Sequence, residues 1–325
     1  MKTKLASLVI SLCIFLTACT GGNADFRTAF FGELSATENA LVCLGDGKMA
    51  LYSPDGEELA AADIGQNAEC LTEGKYALIH TEQDIYLTDG KNIQHNHIDN
   101  IIMSTDLNEN GLSVICTDPV GYAGSATVFD KSLHAVYRWS SADAPIIKAA
   151  LSEKNTLAVL TRDENESRVH IFSLDGETEK DGFVLSDAPF DIAWMGDRLC
   201  LGSETAIRFA SEGRVKQTVR LDRPLGAYVV SDGFAVFELI NGDYTSELIS
   251  LDAQGNELGS IECVLPRCLT AKNSSLALLT DGEAVVYTKD LCELKRIPAV
   301  GIRNIMLTKN QLILVRDSQI MSFEF

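Results

Sequence analysis

A unit of about forty residues recurs along this chain, and this repeat limits the fold more than any other feature. Each unit has an apolar strand that ends in an aromatic residue, then two residues, then an acid that glycine usually follows. The instances are Tyr52 with Asp55-Gly56, Tyr86 with Asp89-Gly90, Phe172 with Asp175-Gly176, Phe209 with Glu212-Gly213, Ile249 with Asp252, Tyr287 with Asp290, Phe129 with Ser132 in the acid position, and Phe323 at the end. A period near 40 residues is typical of a four-stranded propeller blade.

Two series of turns divide each unit into four strands. The acid-glycine pairs suit the tight hairpin between a third and a fourth strand. The turns expected between first and second strands are Glu38-Asn39, Glu73-Gly74, Asn110-Gly111, Lys154-Asn155, Asp232-Gly233, Lys272-Asn273 and Lys309-Asn310. The sequence therefore predicts an all-β chain folded as a β-propeller, with eight blades of four antiparallel strands, or seven as the alternative count.

The last unit ends with only three strands, and this predicts how the ring closes. Ala24 to Arg27, which precedes the first blade, is the segment expected to pair with the strand that ends at Phe323, because an open blade would expose unpaired edges. Cys43 and Cys116 lie in apolar strands, so we expect both to be buried free thiols.

The N-terminus has the layout of a secretory signal. Lys2 and Lys4 precede an apolar run that is too short to span a bilayer, and small residues lead to Cys19. This segment resembles the lipobox of bacterial lipoproteins, which implies cleavage after residue 18 and a lipid on Cys19; an ordinary secreted protein cut after Ala18 is the alternative. We thus divide the chain into a signal (1–18), a lipidated cysteine and tether (19–25) and one propeller domain (26–325).

The repeats resemble those of exported propellers with WD40-like or quinoprotein-like units over essentially the whole mature chain. An eight-bladed lipoprotein is also similar to BamB-type outer-membrane assembly factors, and that resemblance implies a scaffold without a catalytic site. Quinoprotein-like repeats usually end each blade with tryptophan, whereas only Trp139 occupies such a place here. The expected location is the cell membrane or the outer membrane, lipid-anchored and facing outside the cytoplasm, and the expected state is a monomer.

Charge and motifs exclude several functions. The net charge of −19 disfavours binding to nucleic acid, because the chain would be repelled by phosphate. No nucleophile elbow, phosphate loop or zinc-protease motif occurs, so the sequence predicts no catalytic residue, cofactor or metal. His95 and His97 could share a metal with Asp99, but a polar edge strand is the favoured interpretation. Acids from several blades that converge on the central channel, as in a hydrolase or lyase, are the alternative to a binding protein.

The candidate binding residues lie on the rim opposite the two series of tight turns. There the connections Thr117 to Ser125, Arg162 to Arg168 and Ile240 to Ser246 are longer than hairpins need, and long loops on a rigid scaffold often carry binding residues. We expect them to bind a cationic or polar partner, either an extracytoplasmic protein or a cell-envelope ligand. The residues assigned to this site are Asp118, Tyr122, Asp163, Glu164, Glu166, Asp243 and Tyr244.

Overall fold

The computed structural model describes residues 25–27, 33–176, 178–231, 233–316 and 319–325. Within these residues the chain forms eight separate four-stranded antiparallel sheets and no helix. The predicted eight-bladed propeller is therefore confirmed, and the alternative of seven blades is wrong.

The strands follow one another in chain order within each blade. Those of blades 1 to 4 are β2 (Glu33–Ala36), β3 (Leu41–Gly45), β4 (Lys48–Tyr52), β5 (Glu58–Asp63); β6 (Glu69–Glu73), β7 (Tyr76–His80), β8 (Asp84–Thr88), β9 (Ile93–His97); β10 (Ile102–Leu107), β11 (Ser113–Thr117), β12 (Gly124–Phe129), β13 (Ala135–Ser141); β14 (Ile146–Leu151), β15 (Thr156–Arg162), β16 (Ser167–Ser173) and β17 (Thr178–Leu185).

Blades 5 to 7 repeat this order, and blade 8 combines the two ends of the chain. Their strands are β18 (Asp191–Met195), β19 (Arg198–Gly202), β20 (Ala206–Ser211), β21 (Arg214–Arg220); β22 (Leu225–Ser231), β23 (Phe234–Ile240), β24 (Thr245–Asp252), β25 (Glu257–Val264); β26 (Cys268–Lys272), β27 (Ser275–Leu279), β28 (Glu283–Thr288), β29 (Glu293–Pro298); and β30 (Asn304–Leu307), β31 (Gln311–Arg316), β32 (Gln319–Glu324) with β1 (Asp25–Arg27).

The strand order defines two rims. The turns after the first and third strands of each blade lie on one side, which we name the hairpin rim. The connections after the second and fourth strands lie on the other side, which we name the loop rim. The first strands of neighbouring blades lie next to each other around the central channel, as in β10 with β14 and β14 with β18.

The N-terminal strand closes the ring as the sequence predicts. β1 pairs antiparallel with β32, with Asp25 opposite Met321, Phe26 opposite Ile320 and Arg27 opposite Gln319. This pairing completes blade 8 and leaves its third strand without a free edge. The two ends of the described chain therefore hold one another in the same sheet.

The apolar core lies between the blades. Between blades 2 and 3, for example, Leu78 and Ile85 pack with Ile115 and Phe129, and all four are buried. The second strand of each blade is apolar on both faces because a neighbouring blade packs against each side. Cys43 and Cys116 are buried in this layer, as predicted, and neither forms a disulfide with another described residue.

Aspartate side chains hold the hairpin between the third and fourth strands in blades 3 and 6. In blade 6 Asp252 Oδ1 accepts hydrogen bonds from the backbone N–H groups of Gln254 and Asn256, both at 2.8 Å. Asp130 does the same in blade 3. Leu251, opposite Glu257, is therefore the equivalent of Phe129, opposite Ala135, so Ser132 keeps its predicted place and the alignment of Ile249 with Asp252 is wrong by two residues. These side-chain hydrogen bonds stabilise turns in which only one residue has a positive φ, Gly255 in blade 6 and Leu133 in blade 3.

Candidate functional site

The blade 3 connection, residues 118–123, projects from the loop rim. The Tyr122 N–H donates to Pro119 O at 3.3 Å and the Ala123 N–H donates to Ser141 O at 2.9 Å, so both ends of the loop are held. The Tyr122 side chain is 54% exposed and Val120 is 99% exposed. Asp118 is exposed as well. This loop thus presents an aromatic, an aliphatic and an acidic side chain to solvent.

The blade 4 connection, residues 163–166, is a tight acidic turn. Asp163 Oδ1 accepts hydrogen bonds from the N–H groups of Asn165 at 2.7 Å and Glu166 at 2.9 Å. These two bonds lower the pKa of Asp163, so its carboxylate stays charged. Glu164 is exposed beside it. The turn therefore places the charged Asp163 beside Glu164 at the loop rim, while Glu166 Oε1 lies 3.4 Å from Arg168 Nη2.

A cavity of about 300 Å³ lies between blades 3 and 4 next to this turn. Trp139, Asp163, Glu166 and Arg168 line it with His170. The Trp139 and His170 rings are 4.8 Å apart. Aromatic faces beside carboxylates are suited to a cationic side chain. The sequence identifies Trp139 only by its place in the repeat and does not reveal that it lines this cavity.

The blade 6 connection, residues 241–244, forms part of an apolar patch. The Leu265 N–H donates to Tyr244 O at 3.0 Å, which joins this loop to the exit of the fourth strand. Tyr244 is 80% exposed, and Val264 and Leu265 beside it are exposed as well. Asp243 is exposed next to Tyr244. This patch has the same mixture of aromatic, aliphatic and acidic groups as the blade 3 loop.

The structure brings only some of the predicted residues together. Asp163 and Glu166 share the cavity with Trp139, whereas blade 5 separates them from Asp243 and Tyr244. The predicted binding residues therefore lie in two regions of the loop rim, one on blades 3 and 4 and the other on blade 6. A partner would have to cover both for all seven residues to take part.

Exposed apolar side chains favour the same rim. Half of the fourteen large exposed apolar residues lie in loop-rim connections, and none lies in a hairpin turn, among the residues that the structure describes. The seven are Ile101, Val120, Tyr122, Phe190, Tyr244, Leu265 and Val300. Concentration of such groups on one side of a soluble body is typical of an interaction surface.

A second cavity, of about 390 Å³, lies at the hairpin-rim end of the central channel, and the sequence pattern does not predict it. Six blades supply its lining, including Glu73, Glu109, Glu153 and Trp194. Lys272 Nζ lies 2.9 Å from Glu73 Oε1 across the channel. Converging carboxylates at the channel are the feature expected of the enzyme alternative.

Asp106 is the most perturbed acid in this cavity. Burial in the channel wall raises its pKa to about 7, although its Oδ2 accepts a hydrogen bond from the Leu151 N–H at 2.7 Å. Burial and the charges of Glu153 and Glu73 also raise the pKa of Glu109. Asp106 can thus bind a proton near neutral pH at the mouth of the channel.

The two histidines considered as metal ligands bind a carboxylate instead. His95 Nε2 and His97 Nδ1 lie 2.9 and 3.1 Å from the same atom, Asp84 Oδ1. Hydrogen bonds from both imidazoles lower the pKa of Asp84, the larger effect coming from His95. Their carboxylate is Asp84 rather than Asp99. In the described part of the chain no three His, Cys, Asp or Glu side chains are grouped so that they could hold a metal ion.

Cys19, the predicted lipidation site, lies outside the described residues. Within those residues, no helix has the length and apolar character needed to cross a membrane.

The sequence matches no protein-family model and no curated protein. Solved structures share the fold. Sqt1 of Saccharomyces cerevisiae is 11% identical, with 94% of this chain and 99% of that chain covered and a TM-score of 0.65. A eukaryotic initiation factor is 10% identical over 90% and 87% of the two chains, with a TM-score of 0.58. BBS1N, solved in complex with ARL6DN, is 11% identical over 94% and 96%, with a TM-score of 0.51. The chain has the fold of a WD40-like, eight-bladed β-propeller.

Proposed function

We propose that this protein is a lipid-anchored, extracytoplasmic binding or scaffolding propeller, and that its loop rim binds a partner protein. The observation that carries the proposal is the distribution of exposed side chains. Large apolar groups in the connections lie on the loop rim and not in the hairpin turns, within the described residues. Exposed tyrosines that are surrounded by acidic residues are well suited to bind a protein surface with apolar and basic residues.

The fold supports a binding role in general terms. A propeller holds its loops on a rigid body, so long connections can be specialised for recognition without loss of the core. BBS1N, which shares the fold, was solved in a complex with another protein. The chemistry of the loop rim here favours a partner with lysine or arginine side chains around an apolar centre.

Two pairs of alanine substitutions test the binding face. Tyr122→Ala with Tyr244→Ala removes the two most prominent aromatic groups of the loop rim, whereas Glu38→Ala with Lys154→Ala changes exposed residues of the hairpin rim. Crosslinking in native membranes, followed by mass spectrometry, should lose the main partner only with the tyrosine pair. Loss only with the hairpin-rim pair would show that the other face binds.

The anchor is tested separately. Cys19→Ala should prevent lipidation and release the protein from the membrane fraction, because one cysteine thioether carries the anchor. Cys292→Ala, at an exposed thiol of the propeller, is the matched control and should stay with membranes. A processed Cys19→Ala protein that still fractionates with membranes would refute the lipoprotein assignment.

The channel supports a second candidate function, a hydrolase or lyase. Asp106, with its pKa raised to about 7, could donate a proton near neutral pH, and Glu109 and Glu153 lie in the same cavity. Asp106→Asn keeps an acceptor for the Leu151 N–H but cannot donate that proton. An activity found in the wild-type protein and lost in this variant would favour the enzyme, whereas partner binding unaffected by it favours the scaffold.

A further inference from the structure

We propose that the hairpin rim docks against the membrane that anchors the protein, so that the loop rim points away from it. This inference rests on the proposed lipid anchor at Cys19. Its physical basis is the direction of β1, the short length of chain before it and the difference in charge between the two rims.

The direction of β1 shows from which side the chain reaches the propeller. β32 follows a loop-rim connection and runs from Gln319 towards Glu324 at the hairpin rim. β1 is antiparallel to it, so Arg27, opposite Gln319, lies at the loop-rim end and Asp25, opposite Met321, lies nearer the hairpin rim. The chain therefore enters β1 from the side of the hairpin rim.

The distance available to the anchor is short. Only Thr20 to Ala24 stand between Cys19 and Asp25 in the sequence. Six residue steps span at most about 20 Å when fully extended. The stretch of β32 beyond Met321 has three residues, about 10 Å of strand, before the hairpin rim. A chain that continues in the direction of β1 can thus bring Cys19 just past this rim. To place the lipid at the loop rim, the same residues would have to reverse direction and then pass the projecting connections.

The charges of the two rims favour the same orientation. The described loop-rim connections contain thirteen acids, three arginines and no lysine. The described hairpin turns contain eleven acids and six lysines. The six lysines are Lys75, Lys91, Lys131, Lys154, Lys289 and Lys309. Bacterial lipids carry net negative charge at many surfaces, and each lysine near such a surface contributes attraction of about 1 kcal/mol. The loop rim would be repelled more strongly, because it has the larger net negative charge.

Energy transfer to a lipid dye measures the orientation. Cys292 is exposed in the hairpin turn after β28, and Asp281, whose side chain is 94% exposed, lies in the loop-rim connection before the same strand. A donor dye on Cys292 is compared with one on Asp281→Cys in a Cys292→Ser background. The partly buried Cys70, Cys263 and Cys268 have raised pKa values and should react slowly at pH 7. The six residues of β28 separate the two dyes by about 20 Å.

The lipidated protein is placed on vesicles of phosphatidylethanolamine and phosphatidylglycerol that carry an acceptor dye on a headgroup. The proposal predicts markedly greater transfer from Cys292 than from the Asp281→Cys position. Equal transfer, or greater transfer from the loop-rim dye while the protein floats with the vesicles, would overturn the orientation alone. If the wild-type protein from membranes does not float with vesicles, or if the Cys19→Ala protein still does, the lipid anchor is wrong, and the orientation that rests on it is wrong as well.

Discussion

Asp106, the partly buried acid of the channel, makes the stability of this protein depend on pH in a direction that the structure defines. The pKa of Asp106 is raised from 3.8 to about 7 in the folded protein. The unfolded chain therefore loses this proton at lower pH than the folded chain. Stability from this group is complete below pH 3.8, falls as the pH rises towards 7, and is constant above that value.

The pKa values bound the size of the effect. At about 1.4 kcal/mol per pH unit, the interval between them corresponds to at most about 4 kcal/mol of unfolding free energy. Asp106 is only partly buried, because it faces the channel, and water there screens its charge. We therefore expect a loss of about 2 kcal/mol from this one carboxyl.

Asp106→Asn should remove this dependence, since the amide does not ionise and can still accept a hydrogen bond from the Leu151 N–H. Unfolding in urea is measured for both proteins from pH 4 to pH 8. The variant should gain about 2 kcal/mol relative to wild type across this range. Asp197→Asn, at an exposed position of the same rim, is the control for loss of one negative charge. A constant difference between Asp106→Asn and wild type over this range would refute the argument.

The remaining predictions concern packing. Ile320→Ala, at a buried residue beside the closing strand, should cost about 3 kcal/mol of unfolding free energy, whereas Leu294→Ala on an outer strand should change it by less than about 0.5 kcal/mol. Deletion of Ile320 to Phe325 should lower the melting temperature of the whole body, and an unchanged value would contradict a closed ring. Cys43 and Cys116 should resist thiol labelling until the protein unfolds, since burial also raises the pKa of Cys116 to about 11; rapid labelling of both would show a wrong strand register. Tyr228→Phe should be neutral or stabilise by up to about 1 kcal/mol, because the Tyr228 hydroxyl is buried and makes no hydrogen bond to the described residues; a clear loss of stability would reveal a missed partner.

The repeat in the sequence was enough to predict the fold because each blade is specified locally. Strand alternation, the two series of turns and the incomplete last unit all lie within windows of about forty residues. Even so, the local pattern aligned Ile249 of blade 6 with the aromatic residue, where strand pairing places Leu251 opposite Glu257 as Tyr52 lies opposite Glu58. A fixed spacing could not reveal that this third strand continues for two more residues before its turn.

The channel cavity could not be predicted in the same way. Glu73 and Lys272, which meet across it, are 199 residues apart, and six blades contribute to its wall. The sequence carries only a weak indication of this cavity. Glu69, Leu71 and Glu73 are every second residue of the first strand of blade 2, so they lie on one face of it, and one face of each first strand lines the channel. The sequence locates such a face but does not show which side chains of different blades meet there.

The orientation proposed for the membrane also separates the two candidate functions. The acidic cavity opens at the hairpin rim, where Glu109 and Glu153 lie in turns. If that rim rests on lipid, a substrate from solution could reach Asp106 only along the channel from the loop rim, which the proposed partner would cover. A scaffold has no such conflict, because its binding residues face away from the membrane. Energy transfer that places the hairpin rim next to lipid would thus favour the scaffold, whereas a hairpin rim exposed to solvent would leave the channel open to substrate and the Asp106→Asn activity assay would decide.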